Sequence, residues 1–255
     1  MRSSYCKSEQ NKMTDIVKSR RTVLRAAVLG LMSGIGLGAS GTAQHARAAA
    51  NTAANTAGNA ASNKNAAASA YSASKTVLVL GDSLSAEYGL AHGSGWVALL
   101  EQRLAADKVA ARVVNASISG DTTGGGNARL PALLAQYRPH VVVVELGGND
   151  GLRGLPLAAT ESNFRAIIAK AQAAHAKVLL VGMRLPPNFG RDYTERFFAM
   201  YARLAKENHT ALVPFMLEGV AEQPQLFQAD RIHPLAAAHP QILNNIWPRL
   251  RPLLK

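Results

Sequence analysis

Residues able to perform acyl transfer stand near the two ends of the stretch from residue 75 to residue 255. Gly81-Asp82-Ser83-Leu84-Ser85 follows directly on the apolar run Val77-Leu78-Val79-Leu80, and Asp230-Arg231-Ile232-His233 lies near the carboxyl terminus. A serine hydroxyl is a weak nucleophile until a base takes its proton, and a histidine serves as that base when a carboxylate orients its ring. The spacing of Asp230 and His233 lets one tight turn direct the carboxylate at one ring nitrogen while the other faces Ser83. The candidate catalytic set is therefore Ser83, Asp230 and His233.

Each residue also has an ordinary role. A serine after a strand commonly caps a helix, and Asp82 and Asp121 are expected to cap or close turns rather than react. Gly147-Gly148 and Gly124-Gly125-Gly126 suit turns, and neither forms a phosphate loop because no Gly-Lys-Ser/Thr follows. An α/β-hydrolase elbow, Gly-x-Ser-x-Gly, would need glycine where Ser85 stands. His92, His140, His175, His209 and His239 have no carboxylate at a comparable short spacing in a strand-end loop and are expected at the surface or in packing.

The elements that must position these groups follow from periodicity. Five short β-branched runs, Thr76 to Leu80, Ala111 to Ala116, Val141 to Leu146, Val178 to Val181 and Ala211 to Phe215, alternate with segments of helical period. That alternation predicts an α/β domain with a five-stranded, mainly parallel sheet. Pro214 removes a ladder donor and assigns the fifth run to an edge, while Pro248 is expected to kink or divide the last helix. Sites on such sheets form at the carboxyl ends of the strands. Ser83, Ser119-Gly120-Asp121 and Gly147-Gly148-Asn149-Asp150 follow the first, second and third runs, and Asp230 and His233 lie in a loop before the last helix.

In this order the segments resemble the sequence blocks of the SGNH hydrolases, the GDSL-type esterases, over essentially all of residues 75–255. The blocks are Ser83 in Gly81-Asp82-Ser83-Leu84-Ser85, Gly120, Asn149 in Gly148-Asn149-Asp150, and His233 in Asp230-x-x-His233. Asn115 to Thr122, Leu146 to Gly154 and Arg184 to Gly190 are similar to the exported bacterial branch described as multifunctional thioesterase, arylesterase and lysophospholipase. The resemblance implies a flavodoxin-like three-layer α/β/α sandwich and a serine hydrolase of fatty acyl esters, thioesters or lysophospholipids that works without metal or organic cofactor. It implies an oxyanion hole built from the backbone N–H groups of Ser83 and Gly120 and the side-chain amide of Asn149. It further implies a substrate-responsive loop at Gly151 to Pro156, with Gly151 and Gly154 as hinges and Leu152, Leu155 and Pro156 as apolar contacts. Arg231 and Leu235 depart from the Gly and Asn more usual in the Asp-x-x-His-Pro turn, and Arg231 alters charge at the cleft rim. A short-chain aryl or carbohydrate esterase on the same triad, or a flavodoxin-like binding module without catalysis, are the alternatives.

The front of the chain has a different composition. Ser19-Arg20-Arg21-Thr22-Val23-Leu24-Arg25, a Gly-rich apolar stretch and Ala46-Arg47-Ala48 read as a twin-arginine export signal over residues 1–48, which predicts a periplasmic or secreted protein. Residues 49–74, almost entirely small and polar, are expected to form a disordered linker before the hydrolase domain at 75–255. The single cysteine, Cys6, precedes the expected cleavage, so cysteine catalysis and Cys-ligated zinc are excluded for the mature form. The net charge of +12 reflects 28 Lys/Arg and 16 Asp/Glu, of which residues 1–74 hold nine and two, leaving +5 for the remainder. With no basic run interleaved with aromatics, nucleic acid is not an expected partner. No stable membrane span is expected, and the domain is taken as a monomer.

The export reading predicts an exported chain that begins near Ala49 and contains no titratable thiol. Replacing Arg20 and Arg21 by lysines should leave the precursor unprocessed in the cytoplasm. Processing at the wild-type rate would assign export to the general secretory route instead.

Overall fold

The computed structural model describes residues 75–255, so the export signal and linker expected for residues 1–74 lie outside the described residues. Strands β1 (Lys75–Gly81), β2 (Ala111–Asn115), β3 (Val141–Glu145), β4 (Lys177–Val181) and β5 (Ala211–Val213) form one sheet in the order β2-β1-β3-β4-β5. Every pairing is parallel. The helices are α1 (Trp96–Ala106), α2 (Thr123–Tyr137), α3 (Gly148–Leu152), α4 (Leu157–Ala173), α5 (Arg191–Glu207) and α6 (His239–Leu250). Helix α1 packs with α6, α2 with α4, and α4 with α5, covering both faces of the sheet in an α/β/α sandwich.

This covering explains why the central strands read as continuous apolar runs rather than alternating ones. Val77 to Leu80 in β1 and Val141 to Val144 in β3 are fully buried. The flanking β2 is half-buried from Ala111 to Val114 and exposed at Asn115, and β5 is a three-residue edge strand that stops immediately before Pro214. The edge placement expected from Pro214 therefore holds, with the proline just beyond the strand instead of inside it. Phe164, Ile167, Ile168 and Ala171 of α4, and Phe197, Tyr201 and Leu204 of α5, form buried stripes as their periodicity implied.

Two elements differ from expectation. The last helix runs through Pro248 and changes only after Leu250, into the 3-10 turn Arg251–Leu254 that contains Pro252. The buried side chains of Ile246, Trp247 and Leu250 hold the helical path across the one hydrogen bond that the proline removes. Gly124 to Gly126 form the first turn of α2 instead of a free turn, capped by the Thr122 hydroxyl, which accepts the Gly125 N–H at 3.3 Å. A Cβ at Gly126 would strike the Leu146 side chain, so glycine sets how closely α2 approaches the end of β3.

The register places the carboxyl ends of β1 and β3 side by side, with Gly81 opposite Glu145. Immediately beyond β3, Gly147 has φ +99° and turns the chain into α3. A Cβ there would collide with the Tyr201 hydroxyl, which itself donates to the Leu146 carbonyl at 2.9 Å. Both the backbone conformation and the close approach require glycine. Gly147→Ala should lower stability by about 2 kcal/mol, read as a lower urea midpoint. Gly154→Ala, at φ +62° with nothing near its Cβ, should cost less, and equal losses would remove the role of the Tyr201 contact.

Candidate active site

Ser83 sits in the turn that leaves β1. The turn is closed by the Ala86 N–H to the Asp82 carbonyl at 3.0 Å and by the Leu84 N–H to Asp82 Oδ1 at 3.1 Å. Beneath it, Glu145 Oε2 accepts the Ser85 hydroxyl at 2.7 Å and the Asp82 N–H at 3.3 Å. Ser85 Oγ in turn accepts the indole N–H of Trp96 at 3.1 Å, which ties the turn to the start of α1. The Trp96 N–H donates to His239 Nδ1 at 2.9 Å, joining the starts of α1 and α6.

The second half of the site comes from the loop before α6. Asp230 Oδ1 accepts the N–H groups of Ile232 and His233 at 2.9 and 3.1 Å, making a local turn whose other carboxylate oxygen faces the imidazole. His233 Nδ1 lies 2.7 Å from Asp230 Oδ2, and Nε2 lies 2.9 Å from Ser83 Oγ. With Nδ1 protonated toward the carboxylate, Nε2 is left to accept the serine proton. The Tyr88 ring, half-exposed, stands 4.5 Å from the imidazole centroid at a tilt of 40° and limits its rotation. The loop carrying His233 is clasped by the Gln228 amide, which donates to the Tyr88 carbonyl at 2.9 Å.

The remaining candidates also lie at strand ends. Gly120 has φ +79°, and its carbonyl is held by Arg153 Nη2 at 2.8 Å. Asn149, in α3, donates one amide hydrogen to Asp82 Oδ2 at 3.1 Å, leaving the second available. Neither the Ser83 nor the Gly120 N–H is engaged in a hydrogen bond among the described residues. Asp150, the next residue, is buried and accepts from Thr123 and Thr160, so it fixes α3 against α2 and α4.

A cleft of about 560 Å³ opens beside Ser83 and His233. Leu152 lines it, but Leu155 and Pro156 do not. The Leu155 carbonyl is held by the Tyr193 hydroxyl at 2.8 Å and Pro156 leads into α4, which keeps both off the wall. Gly151 lies inside α3, where a Cβ would collide with the Leu185 side chain. Most of the apolar wall, including Met183, Leu185, Phe215, Leu217 and Phe227, comes from the segments after β4 and β5. Sequence reading assigned none of these to the site, nor Glu145, Ser85 and Tyr88, although Ser85 and Leu185 stand in the stretches that resemble the family and a polar Glu ends the otherwise apolar run Val141–Val144.

Burial governs the acid chemistry beneath the site. Loss of solvation lifts the Asp82 carboxyl from the ordinary 3.8 to about 6, against the opposing hydrogen bonds from Leu84 and Asn149. Glu145, fully buried beside Asp82, is pushed well above its ordinary value by the same loss of solvation and by its neighbour's charge. For Asp230 the modest desolvation is outweighed by His233 and the two backbone donors, which hold its carboxyl down at about 2.

Comparison with known proteins places these residues in context. Residues 79–240 match the GDSL-like Lipase/Acylhydrolase family. Esterase TesA of Pseudomonas aeruginosa is 56% identical over 183 residues, covering 72% of this chain and 91% of that protein. The Thioesterase 1/protease 1/lysophospholipase L1 of Escherichia coli K12 is 49% identical, covering 72% of this chain and 86% of its own length. A crystal structure of TesA superposes with a TM-score of 0.69 at 56% identity, covering 70% of this chain and 99% of that one.

The two sets of carboxyls affect stability in opposite directions and in separate pH ranges. Asp82 binds its proton more tightly folded than unfolded, so its contribution is complete below 3.8 and is lost as pH rises through about 6. The contribution of Asp230 is complete above 3.8 and is lost as pH falls toward about 2. The urea midpoint of the wild type should therefore decline between about pH 4 and pH 7, and Asp82→Asn should flatten that decline. Parallel profiles for the two proteins would remove Asp82 from the acid linkage.

Proposed function

Because the chain belongs to the GDSL-like lipase/acylhydrolase family and is accordingly a hydrolase acting on ester bonds, we propose that it cleaves fatty acyl esters, thioesters and lysophospholipids through an acyl-enzyme on Ser83. The observation that carries this reading is the continuous line from Asp230 through His233 to Ser83 Oγ, with separations of 2.7 and 2.9 Å. His233 Nε2 takes the hydroxyl proton as Ser83 Oγ attacks the acyl carbonyl, and the Asp230 carboxylate steadies the imidazolium. The tetrahedral oxyanion is met by the N–H groups of Ser83 and Gly120 and by the free amide hydrogen of Asn149. His233 returns the proton to the departing oxygen or sulfur, leaving the acyl group esterified to Ser83. Water, deprotonated by His233, then attacks that ester, and collapse of the second intermediate releases the acid and restores Ser83. Every step is assigned to a group of this chain, so no metal or organic cofactor enters the scheme.

The substrate class rests on the cleft. A wall of Leu152, Met183, Leu185, Phe215 and Leu217 gains by covering an alkyl chain, at about 0.8 kcal/mol per buried methylene. Similarity to proteins named as an esterase and as a thioesterase and lysophospholipase supports the same class. The export signal at 1–48, the linker at 49–74 and the hydrolase domain at 75–255 complete the proposal, which places a monomeric enzyme in the periplasm. Among the described residues no helix is long and apolar enough to cross a membrane.

A fluorophosphonate should label Ser83, and Ser83→Ala should abolish both labelling and turnover. Asn149→Ala should lower kcat by about 100- to 1,000-fold, the usual loss for one oxyanion donor. Over a series of acyl esters and acyl-CoA thioesters, kcat/KM should rise toward medium or long chains. A maximum at acetyl or butyryl esters would replace the fatty acyl reading by a short-chain esterase.

A further inference from the structure

Six described residues other than glycine have positive φ. Lys108, Arg138, His175 and His209 lie at or just beyond the ends of α1, α2, α4 and α5, where left-handed residues commonly stop a helix. Glu87 delivers a carboxylate that accepts the N–H groups of Gly93 and Gly95 and pairs with His92. Arg231, at φ +57°, does neither. It occupies the turn that brings Asp230 to His233, where its N–H donates to the Gln228 carbonyl at 2.9 Å and where glycine would adopt the same backbone without strain.

Arg231 lines the same cleft as Ser83 and His233. Among the described residues no carboxylate, carbonyl or ring engages its guanidinium. The neighbouring Asp230 carboxylate is taken up by the imidazole and two N–H groups. The other arginine of the cleft, Arg184, is stacked 4.1 Å over the Phe198 ring and 5.2 Å from that of Phe215. Glu222 lines the cleft as well, but no ion pair joins it to Arg231. A strained backbone thus holds an uncommitted cation on the turn whose histidine protonates the departing group.

We infer that Arg231 is a specificity-determining residue for anionic leaving groups, binding a phosphate carried by the alcohol or thiol that departs from the acyl group. The inference rests on the hydrolase reading above. As the Ser83 Oγ–acyl bond forms and the bond to the leaving oxygen or sulfur breaks, the proton passes from Ser83 to His233 and on to that atom. Arg231 gives and takes no proton; it holds a phosphate oxygen by charge-assisted hydrogen bonds. Such contact, remote from the reacting carbon, raises kcat/KM for substrates that carry the phosphate and does nothing for those that lack it. Coenzyme A thioesters and lysophospholipids share this chemistry.

The test compares the full chain with Arg231→Gly and Arg231→Lys on three substrates of one acyl length: an acyl-CoA, a lysophosphatidylglycerol and a neutral monoacylglycerol. In Arg231→Gly the ratio of kcat/KM on anionic to neutral substrate should fall about tenfold, equivalent to one charge-assisted hydrogen bond. The deficit should shrink as salt rises, and Arg231→Lys should recover most of the ratio. Because glycine relaxes the turn, Arg231→Gly should melt at or above the wild-type temperature. A fall confined to acyl-CoA assigns the phosphate to the coenzyme, and one confined to the lysophospholipid assigns it to the headgroup; either supports the inference. Equal changes on all three substrates, or none, overturn it while leaving the hydrolase reading intact. A wild type inactive on all three overturns both.

Discussion

The site depends on a buried carboxyl group at the end of the central strand. Glu145 closes β3 directly opposite Gly81 of β1 and accepts the Ser85 hydroxyl and the Asp82 N–H, so the turn that presents Ser83 is attached to the middle of the sheet. Asp82 carries the constraint further, since its side chain accepts from Leu84 on one side and from Asn149 on the other. Two elements that the chain separates by more than sixty residues are thereby held in one frame, the Ser83 turn and the Asn149 amide together.

That frame is electrostatically costly, and the cost shapes its chemistry. Two carboxyls side by side in a dry interior cannot both ionise readily, and both are pushed upward by lost solvation. Their hydrogen bonds to the Ser85 hydroxyl, the Asn149 amide and backbone N–H groups recover part of the penalty and specify a single arrangement of the turn. Asp230 illustrates the contrast: it is on an open loop, supplied with two backbone donors and a histidine, and it stays ionised. Environment therefore moves carboxyls of the same chemistry in opposite directions, burial raising Asp82 and Glu145 and the hydrogen bonds from His233 and two backbone N–H groups lowering Asp230.

Rigid support and adjustable surface are divided between the two halves of the cleft. Ser83, Gly120 and Asn149 follow β1, β2 and β3, whose central members are fully buried. The lipophilic wall and the Arg231 turn come from the longer segments after β4, after β5 and before α6. The cleft wall can therefore vary through these loops while Ser83, Gly120 and Asn149 stay at the ends of the sheet strands; Asp230 and His233 share the loop before α6 with Arg231. The arginine in a position suited to glycine is one such variation.

What the amino-acid sequence determined by itself was local: strands and helices through their periodicity, the turn residues at strand ends, and the Asp230-x-x-His233 spacing that makes a carboxylate face an imidazole. These properties depend on residues within a few positions of one another, so they can be read along the chain. Tertiary structure decided what contacts what across the sheet. It joined Glu145 to Ser85, withdrew Leu155 and Pro156 from the cleft, put Met183, Leu185, Phe215 and Leu217 in their place, and let α6 continue past Pro248. Each of those outcomes is set by register and close packing between segments distant in the chain, and a linear pattern contains no measure of either.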